Sequence, residues 1–242
     1  MDISIKEVYK SFDKKAVIEN LSFDIPSGEI ICLLGPSGAG KTTTIRLIIG
    51  AIAADSGTIK IGETVIPNLA LLKKVGFMPQ NDALYDDLSG EDNLKFFAEL
   101  YGVKKLELMN RIDEVLGLVD LTDDRKKFVR KYSGGMKKRL SLAAALIHDP
   151  EILLLDEPTV GIDPVLRHTI WQQFKEFKQK GKTMIVSTHV MDEVSECDKA
   201  ALIYGGKLIA YDDVGPLLAR TKSGKVDELF FTAAELERGG DV

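Results

Sequence analysis

The segment Gly35–Thr42 of this 242-residue chain, which reads GPSGAGKT, constrains the fold more than any other part of the sequence. It matches the pattern G-x-x-x-x-G-K-[ST] and lies between an apolar run, Glu29–Leu34, and a predicted helix at Thr43–Ile49. Glycines let backbone N–H groups wrap a phosphate closely, and the N-terminus of a following helix attracts the same anion. The segment therefore predicts a buried strand, a phosphate-binding loop and a helix in succession.

Within this loop two side chains have chemistry of their own. Lys41 is expected to reach the β- and γ-phosphates of a nucleotide, and the Thr42 hydroxyl is expected to hold Mg²⁺. The full set of predicted phosphate-binding residues is Gly35, Pro36, Ser37, Gly38, Ala39, Gly40, Lys41, Thr42 and Thr43.

Composition narrows the class of protein. Hydrophobic residues make up 45% of the chain and charged residues 29%, as in ordinary soluble globular proteins. The net charge of −5 argues against nucleic-acid binding by bulk electrostatics. The N-terminal sequence has no apolar signal-peptide core, and no apolar run approaches the ~18 residues of a membrane span, so we expect a cytoplasmic chain. Cys32 and Cys197 do not make a disulfide framework.

The hydrophobic pattern changes along the chain. The first third reads as strands, including Asp2–Tyr9, Ala16–Ile25, a hairpin at Gly57–Ile66 and a short strand at Val75–Met78. From about residue 86 to 148 the period is helical, with Ser89 as an N-cap and Gly102 as a C-cap. Strands and helices then alternate, which indicates a mostly parallel sheet. The predicted helices of the middle block include Leu106–Val119 and Met136–His148, and the later segments are Glu151–Leu155, Arg167–Lys178, Thr183–Ser187, Val190–Glu196 and Ala200–Tyr204.

This pattern predicts three parts. Residues 1–85 and 149–222 form an α/β core that includes a β subdomain, and residues 86–148 form an inserted helical subdomain. Residues 223–242 form a C-terminal tail with a charged segment that ends in Arg238-Gly239-Gly240, either a short helix or partly disordered.

A second chemical motif lies at Ile152–Glu157, an apolar strand that ends in two carboxylates. Alone it could be a buried strand with a solvated acidic end. Together with a phosphate-binding loop, Asp156 is expected to bind the Mg²⁺ shell, usually through water, and Glu157 to polarise an attacking water. Phosphoryl transfer depends on such positioning and charge neutralisation.

The segment Tyr132–Met136, YSGGM, separates this chain from most other phosphate-loop proteins. Ser133, Gly134 and Gly135 place backbone N–H groups and one hydroxyl at a helix N-terminus, which is a second anion site. Read alone, Ser133 could be a simple helix N-cap.

In this combination of motifs the chain resembles the ATP-binding subunit of ABC transporters, over roughly Ile3 to Tyr211. The resemblance implies an α/β P-loop NTPase (RecA-like) core with an N-terminal antiparallel β subdomain and an inserted α-helical subdomain. GPSGAGKT corresponds to Walker A, ILLLDEP to Walker B and YSGGM to the LSGGQ signature. The resemblance further implies that Phe12 stacks on adenine and that Gln80 is the Q-loop residue linked to Mg²⁺. It also implies that Asp163 belongs to the D-loop and that His189 is the switch histidine that contacts the γ-phosphate.

The family resemblance also implies a mechanism and partners. The cofactors are ATP and Mg²⁺, Glu157, His189 and Lys41 are catalytic, and Thr42, Gln80 and Asp156 are metal-binding. Two subunits, identical or related, are expected to pack head to tail around two Mg-ATP and to drive a transmembrane permease from the inner face of the membrane. The segment TVGIDP together with YSGGM resembles the branch that serves export-type permeases, including drug and antibiotic exporters and sodium-efflux systems.

Several alternatives stay open at this stage. Phe12 could be a core aromatic, with Tyr9 as the stacking residue instead, Gln80 could cap a loop, and His189 could be structural. Tyr132 and Met136 depart from the Leu and Gln of the usual signature, and the D-loop has Gly161-Ile162 in place of Ala-Leu. The basic clusters at Arg125–Lys127, Arg130-Lys131 and Lys137–Arg139 are interpreted mainly as a solvated face.

Two rival functions would leave different marks in the sequence. A soluble ABC-type ATPase acting on DNA or ribosomes usually carries a long coiled-coil insertion or fused second domain, whereas only about 50 residues separate Gln80 from the signature. A P-loop kinase or GTPase would not explain YSGGM or the glutamate beside Asp156.

Overall fold

The computed structural model of the protein describes residues 1–232. The strands are β1 (Ile3–Phe12), β2 (Lys15–Ile25), β3 (Ile30–Leu34), β4 (Ser56–Ile61), β5 (Thr64–Val65), β6 (Val75–Met78), β7 (Ile152–Asp156), β8 (Thr183–Thr188), β9 (Lys199–Tyr204) and β10 (Lys207–Asp213). The helices are α1 (Lys41–Ile48), α2 (Gly90–Tyr101), α3 (Lys105–Leu118), α4 (Gly134–Leu146), α5 (Pro164–Gln179) and α6 (Val214–Ala219), with 3₁₀ turns at Leu69–Lys74, Val129–Lys131 and Met191–Glu196.

The chain divides into two units of dense internal contacts. The first contains Met1–Asn68 and the described residues from Ile185 onwards, and the second contains Leu69–Met184. The predicted domains, 1–85 with 149–222 and the helical subdomain 86–148, remain a prediction. The predicted tail, 223–242, is described only as far as residue 232, so its charged end at Arg238-Gly239-Gly240 lies outside the described residues.

In the first unit an antiparallel sheet has the strand order β2-β1-β4-β5. On β1, the side chains of Ile3, Ile5 and Val8 are fully buried: Ile3 and Ile5 follow the predicted alternation, and a register shift between Ile5 and Val8 brings Val8 to the same buried face. The expected β subdomain is therefore present, and the predicted hairpin is formed by β4 and β5.

The same unit contains parallel pairing. β3 pairs in parallel with β9, with Cys32 opposite Ala200, and every residue of β3 is buried. β10 pairs antiparallel with β9 on the other side. The sequence pattern does not indicate β10, and the predicted helical segment Val190–Glu196 is instead a 3₁₀ turn over Met191–Glu196.

In the second unit β6 and β7 pair in parallel, and helices α2, α3 and α4 pack against one another. The predicted caps are confirmed: the Ser89 side chain accepts a hydrogen bond from the Asp92 N–H, and Gly102 ends α2 in the left-handed conformation. Both predicted helices, α3 and α4, are present, with α4 beginning two residues earlier than expected. In the described part of the chain, no helix combines the length and apolar character that crossing a bilayer requires.

Candidate functional site

The phosphate-binding loop begins where β3 ends. Gly35 is buried, whereas Pro36, Ser37 and Gly38 are exposed. The loop is closed by a hydrogen bond of 3.2 Å from the Ala39 N–H to the Pro36 carbonyl. The buried strand β3 thus leads into a loop that is exposed to solvent and closed by its own hydrogen bond, as the sequence predicts.

Gly40 joins the loop to α1. Its φ of 109° lies in the region that favours glycine, and a Cβ there would lie 2.7 Å from the Ile18 Cδ1 atom. Helix α1 begins at Lys41, two residues before the predicted start. The first N–H groups of a helix have no intrahelical acceptor, so those of Lys41, Thr42 and Thr43 are suited to an anion.

The Lys41 side chain is buried within this loop. Its ammonium donates hydrogen bonds to the carbonyl oxygens of Gly35, at 2.7 Å, and Pro36, at 3.0 Å. The positive charge is therefore held among the loop's own backbone atoms, at the segment where the sequence predicts phosphate binding.

Phe12 lies at the end of β1, and its side chain is 44% exposed. The Lys10 ammonium lies 5.4 Å from the centroid of the Phe12 ring. Tyr9 is similarly exposed. The alternative that Phe12 is a core aromatic is therefore wrong, because close to half of its side chain is exposed.

His189 follows β8, whose six residues are all buried, and it is exposed. The turn after it is fixed by Thr188, whose hydroxyl donates to the Glu193 carboxylate at 2.6 Å and accepts from the Val190 N–H at 2.9 Å. The exposed His189 thus lies directly after a fully buried strand.

Asp156 and Glu157 lie at the carboxyl end of β7, and both are buried. The Gln80 Nε2 donates a hydrogen bond of 3.1 Å to the Glu157 Oε2. Glu157 has a φ of 53°, a left-handed conformation that costs a non-glycine residue about 1–2 kcal/mol. Such strain is concentrated at functional sites. The alternative that Gln80 only caps a loop does not account for its contact with Glu157.

Ser133 begins helix α4 as its N-cap, and its hydroxyl accepts from the Met136 N–H at 3.3 Å. Ser133 and Gly134 are exposed and Gly135 is half-buried. The capping role considered from the sequence is therefore present, and it leaves the glycine backbone of the first turn accessible.

Tyr132, which replaces the usual signature leucine, points inward and is buried. Its hydroxyl donates to the Asp124 carbonyl at 2.9 Å, and burial raises its pKa to about 12. The tyrosine at this position therefore anchors the signature segment, while Ser133 and Gly134 remain exposed.

Asp163 is the N-cap of α5, where its carboxylate accepts from the Leu166 N–H at 3.0 Å. Pro164 occupies the first helical position, where its missing N–H costs nothing. The D-loop carboxylate thus also has a structural role as a helix cap, which the motif alone does not indicate.

The cluster Lys137–Arg139 is not a uniformly solvated face. Lys137 pairs with Asp86 at 2.6 Å, and Arg139 donates to the carbonyl oxygens of Val119 and Asp120. Lys138 donates to the Gln80 carbonyl at 3.2 Å. Burial lowers the pKa of Lys138, against the opposing charges of nearby carboxylates. Nothing in the sequence spacing distinguishes Lys138 from its neighbours.

Comparison with known protein families gives a match to the family model described as ABC transporter, over residues 18–160. The chain belongs to the ABC transporter family. It is an ATP-binding subunit of this family, with ATPase activity, and the predicted ATP cofactor is confirmed.

Curated relatives of this ABC transporter subunit cover nearly all of its length. It is 39% identical over 230 residues to the linearmycin resistance ATP-binding protein LnrL of Bacillus subtilis (strain 168), covering 94% of this chain and 74% of the relative. It is 38% identical over 231 residues to the Nod factor export ATP-binding protein I of Paraburkholderia xenovorans (strain LB400), covering 94% of this chain and 76% of the relative.

Solved structures confirm the P-loop NTPase fold class. The ATP binding subunit of an ABC transporter superposes with a TM-score of 0.86 at 26% identity, covering 96% of this chain and 99% of the other. A dimeric, post-hydrolysis ATP-binding cassette, MJ0796 bound to ADP and Pi, superposes with a TM-score of 0.81 at 25% identity, covering 87% and 98%.

Proposed function

We propose that Glu157 is the general base of ATP hydrolysis in this subunit. The observation that carries the proposal is the hydrogen bond from Gln80 Nε2 to the Glu157 carboxylate, at the carboxyl end of β7 beside Asp156. This contact orients a buried carboxylate, which is what activation of a water molecule requires. Lys41 is proposed to stabilise the β- and γ-phosphates, and residues 35–43 to bind them through backbone N–H groups.

Mg²⁺ is proposed to be held by the Thr42 hydroxyl, the Asp156 carboxylate and the Gln80 side-chain oxygen. These are hard oxygen donors, which Mg²⁺ prefers, and they include a single carboxylate, whereas Mg²⁺ is commonly bound through one or two carboxylates together with substrate phosphates. The donor set therefore fits the ion. When bound, Mg²⁺ would neutralise charge that develops on the phosphates.

Two chains are proposed to bind two ATP molecules head to tail. The accessible backbone of Ser133, Gly134 and Gly135 is suited to the γ-phosphate held by the other chain. His189 is proposed to contact that phosphate, Asp163 to contribute from the D-loop, and Phe12 to stack on adenine through its exposed ring. The dimeric state of the solved cassette supports this arrangement.

The partner is proposed to be a transmembrane permease, which would hold the subunit at the inner face of the membrane. An exposed apolar surface formed by Tyr85, Phe96 and Leu100 is suited to dock this permease. All three side chains are exposed, and the Tyr85 and Phe96 rings meet edge to face at 4.7 Å. Exposed apolar side chains grouped in this way mark interaction surfaces.

Export is the proposed direction of transport, because the relatives are named for Nod factor export and linearmycin resistance. The alternative, a soluble ATPase acting on DNA or ribosomes, is not favoured by these relatives.

The chain is also proposed to divide into an α/β core, the helical subdomain 86–148 and the tail from residue 223. In this division, nucleotide binding and permease docking are proposed to belong to different parts of the chain.

The role of Glu157 is tested by ATP turnover of the purified full chain. Glu157→Gln should bind ATP and form a stable dimer on size-exclusion chromatography while losing hydrolysis, and Lys41→Ala should abolish turnover. Glu151→Gln is the matched control, because Glu151 is half-exposed and pairs with Lys74 on the surface. Turnover of Glu157→Gln at the wild-type rate would refute the assigned base.

The permease proposal is tested by affinity purification from detergent-solubilised native membranes, with mass spectrometry of the bound proteins. Recovery of a multi-span membrane protein with the wild-type chain, lost in Phe96→Glu and kept in Leu106→Glu, is the expected result. Leu106 is a suitable control because it is an apolar side chain, 95% exposed, on α3. Recovery of only ribosomal or DNA-associated proteins would favour the soluble alternative.

A further inference from the structure

Two hydrogen bonds in the second unit connect the signature helix α4 to Glu157. The Lys138 ammonium donates to the Gln80 carbonyl oxygen at 3.2 Å, and the Gln80 side-chain amide donates to the Glu157 carboxylate at 3.1 Å. Both ends of Gln80, its backbone and its side chain, are thus held by different partners.

The register of β6 and β7 brings Gln80 and Glu157 together. The strands are parallel, and Met78 lies opposite Leu155. Gln80 and Glu157 each follow two residues later, so they occupy corresponding positions past the ends of neighbouring strands. Their contact is therefore set by backbone pairing in the core and not by a flexible surface encounter.

Close packing fixes α4 on β6 and so fixes the position of Lys138. A Cβ at Gly76 of β6 would lie 2.2 Å from the Ala145 carbonyl, so only glycine allows this approach. Ala145 is fully enclosed near the end of α4, and Lys138 lies about two helical turns before it. The helix therefore carries Lys138 at a defined place relative to the strand that leads to Gln80.

The charges around Lys138 also favour this placement. Asp82, Glu157 and Asp156 all attract the half-buried ammonium. Asp82 Oδ1 is buried and accepts no hydrogen bond from the described residues, so Lys138 does not make a direct hydrogen bond to that oxygen. Lys138 donates instead to the Gln80 backbone carbonyl, at 3.2 Å.

We propose that Lys138 is a positioning residue for ATP hydrolysis, which holds the Gln80 backbone so that the Gln80 amide keeps the Glu157 carboxylate in one orientation. The inference rests on the proposed role of Glu157 as the general base. Lys138 does not touch the reacting atoms in this account. It acts through Gln80, and it links the helix that begins with the signature serine to the carboxylate that activates water.

The first test measures kcat and KM for ATP in the purified full chain carrying Lys138→Met, Lys138→Arg or Lys137→Met. Methionine keeps the length and packing of the side chain but donates no hydrogen bond. We expect kcat of Lys138→Met to fall about tenfold with KM and thermal unfolding unchanged, because misorientation of a catalytic group slows the chemical step. Arginine should restore most of kcat, since it still donates to a carbonyl.

Lys137→Met is the matched control, because Lys137 is the adjacent lysine of α4 and pairs with Asp86 on the surface. It should turn over ATP at the wild-type rate. Wild-type kcat in Lys138→Met, or a loss of kcat in Lys138→Arg as large as in Lys138→Met, would overturn the proposal.

The second test asks whether Lys138 acts through Gln80. Gln80→Ala removes the amide but keeps the backbone carbonyl, so adding Lys138→Met to Gln80→Ala should cause little further loss of kcat. A further tenfold loss of kcat in the double variant would show that Lys138 acts independently of Gln80, and it would overturn the proposal. Glu157→Gln, measured alongside, separates the general-base role of Glu157 from the positioning role of Lys138. If Glu157→Gln is inactive while Lys138→Met has wild-type kcat, only the Lys138 proposal fails. If Glu157→Gln remains active, both proposals fail.

Discussion

Arg111 of α3 and Arg139 of α4 each bind the carboxyl end of the other's helix. Arg111 donates to the carbonyl oxygens of Leu146 at 2.7 Å and Ile147 at 3.2 Å, where α4 ends. Arg139 donates to the Val119 carbonyl at 2.9 Å, where α3 ends. The last carbonyls of a helix lack intrahelical donors and carry the negative end of the dipole, so each guanidinium both satisfies and neutralises its partner's terminus.

Arg111→Lys should therefore destabilise the protein by about 1–2 kcal/mol, because a lysine cannot make the two directed hydrogen bonds that the planar guanidinium makes. Urea unfolding monitored by circular dichroism measures the loss. Arg46→Lys, at an exposed position of α1, is the control and should leave the midpoint unchanged. Equal midpoints for Arg111→Lys and wild type would mean that the cap contributes nothing to stability.

Local sequence signals were sufficient for many elements of this fold. The strand at Val75–Met78 was predicted with its observed bounds, since a short apolar run between polar residues leaves few alternatives. The caps Ser89 and Gly102 were also predicted, because each satisfies its helix end through its own chemistry. The strand Lys207–Asp213 was missed because five of its residues are half-buried and show no alternation.

Contiguous site residues could be found from the sequence, but contacts between distant ones could not. The loop Gly35–Thr42 is a single segment, and the spacing of its glycines, lysine and threonine identifies it directly in the sequence. Gln80 and Glu157 are 77 positions apart, and Lys138 and Gln80 are 58 apart. These contacts depend on strand register and on how closely α4 approaches β6, and neither property is encoded within a single segment.

Glu91 is a buried carboxylate at the start of α2, held by three cations. Hydrogen bonds from Lys126, Lys95 and Arg125 lower its pKa to about 2, against the opposing effect of burial. A carboxyl whose folded pKa lies below its unfolded value stabilises the fold above the unfolded pKa, and this contribution disappears as pH falls through the folded value. The relevant window runs from about pH 4.5 down to about pH 2.

Glu91→Gln should thus cost about 2 kcal/mol of unfolding free energy at pH 7, and the difference from wild type should shrink at pH 3. Urea titrations at both pH values provide the measurement. Glu107→Gln, on the exposed surface of α3, should differ little from wild type at either pH. A Glu91→Gln deficit that is equal at pH 7 and pH 3 would contradict the assigned ionisation.

His148 is stacked on Tyr101, with ring centroids 3.8 Å apart, and its Nε2 lies 3.2 Å from the Val75 carbonyl. Burial lowers its pKa to about 4. The unfolded state, with a histidine pKa near 6.5, takes up a proton before the folded state does. Folding stability should therefore decline as pH falls from about 6.5 to about 4.

His148→Phe keeps the stacking but cannot titrate, so its stability should fall less than that of wild type between pH 7 and pH 4.5. His168→Phe is the matched control, because His168 is exposed on α5. This variant should show the same pH dependence of stability as the wild type. Thermal unfolding across this pH range measures both. Parallel curves for wild type and His148→Phe would indicate that another group accounts for the decline.

Gly90, the first residue of α2, leaves room for the Tyr132 side chain: a Cβ at Gly90 would lie 2.3 Å from the Tyr132 hydroxyl oxygen. Gly90→Ala should destabilise the protein by about 1–3 kcal/mol through this overlap, and Tyr132→Phe by about 1 kcal/mol through loss of the bond to the Asp124 carbonyl. Because phenylalanine removes the clashing atom, the double variant should lose less stability than the two single changes added together. Urea unfolding of all four proteins tests this, and strict additivity would show that the hydroxyl is not what excludes a side chain at Gly90.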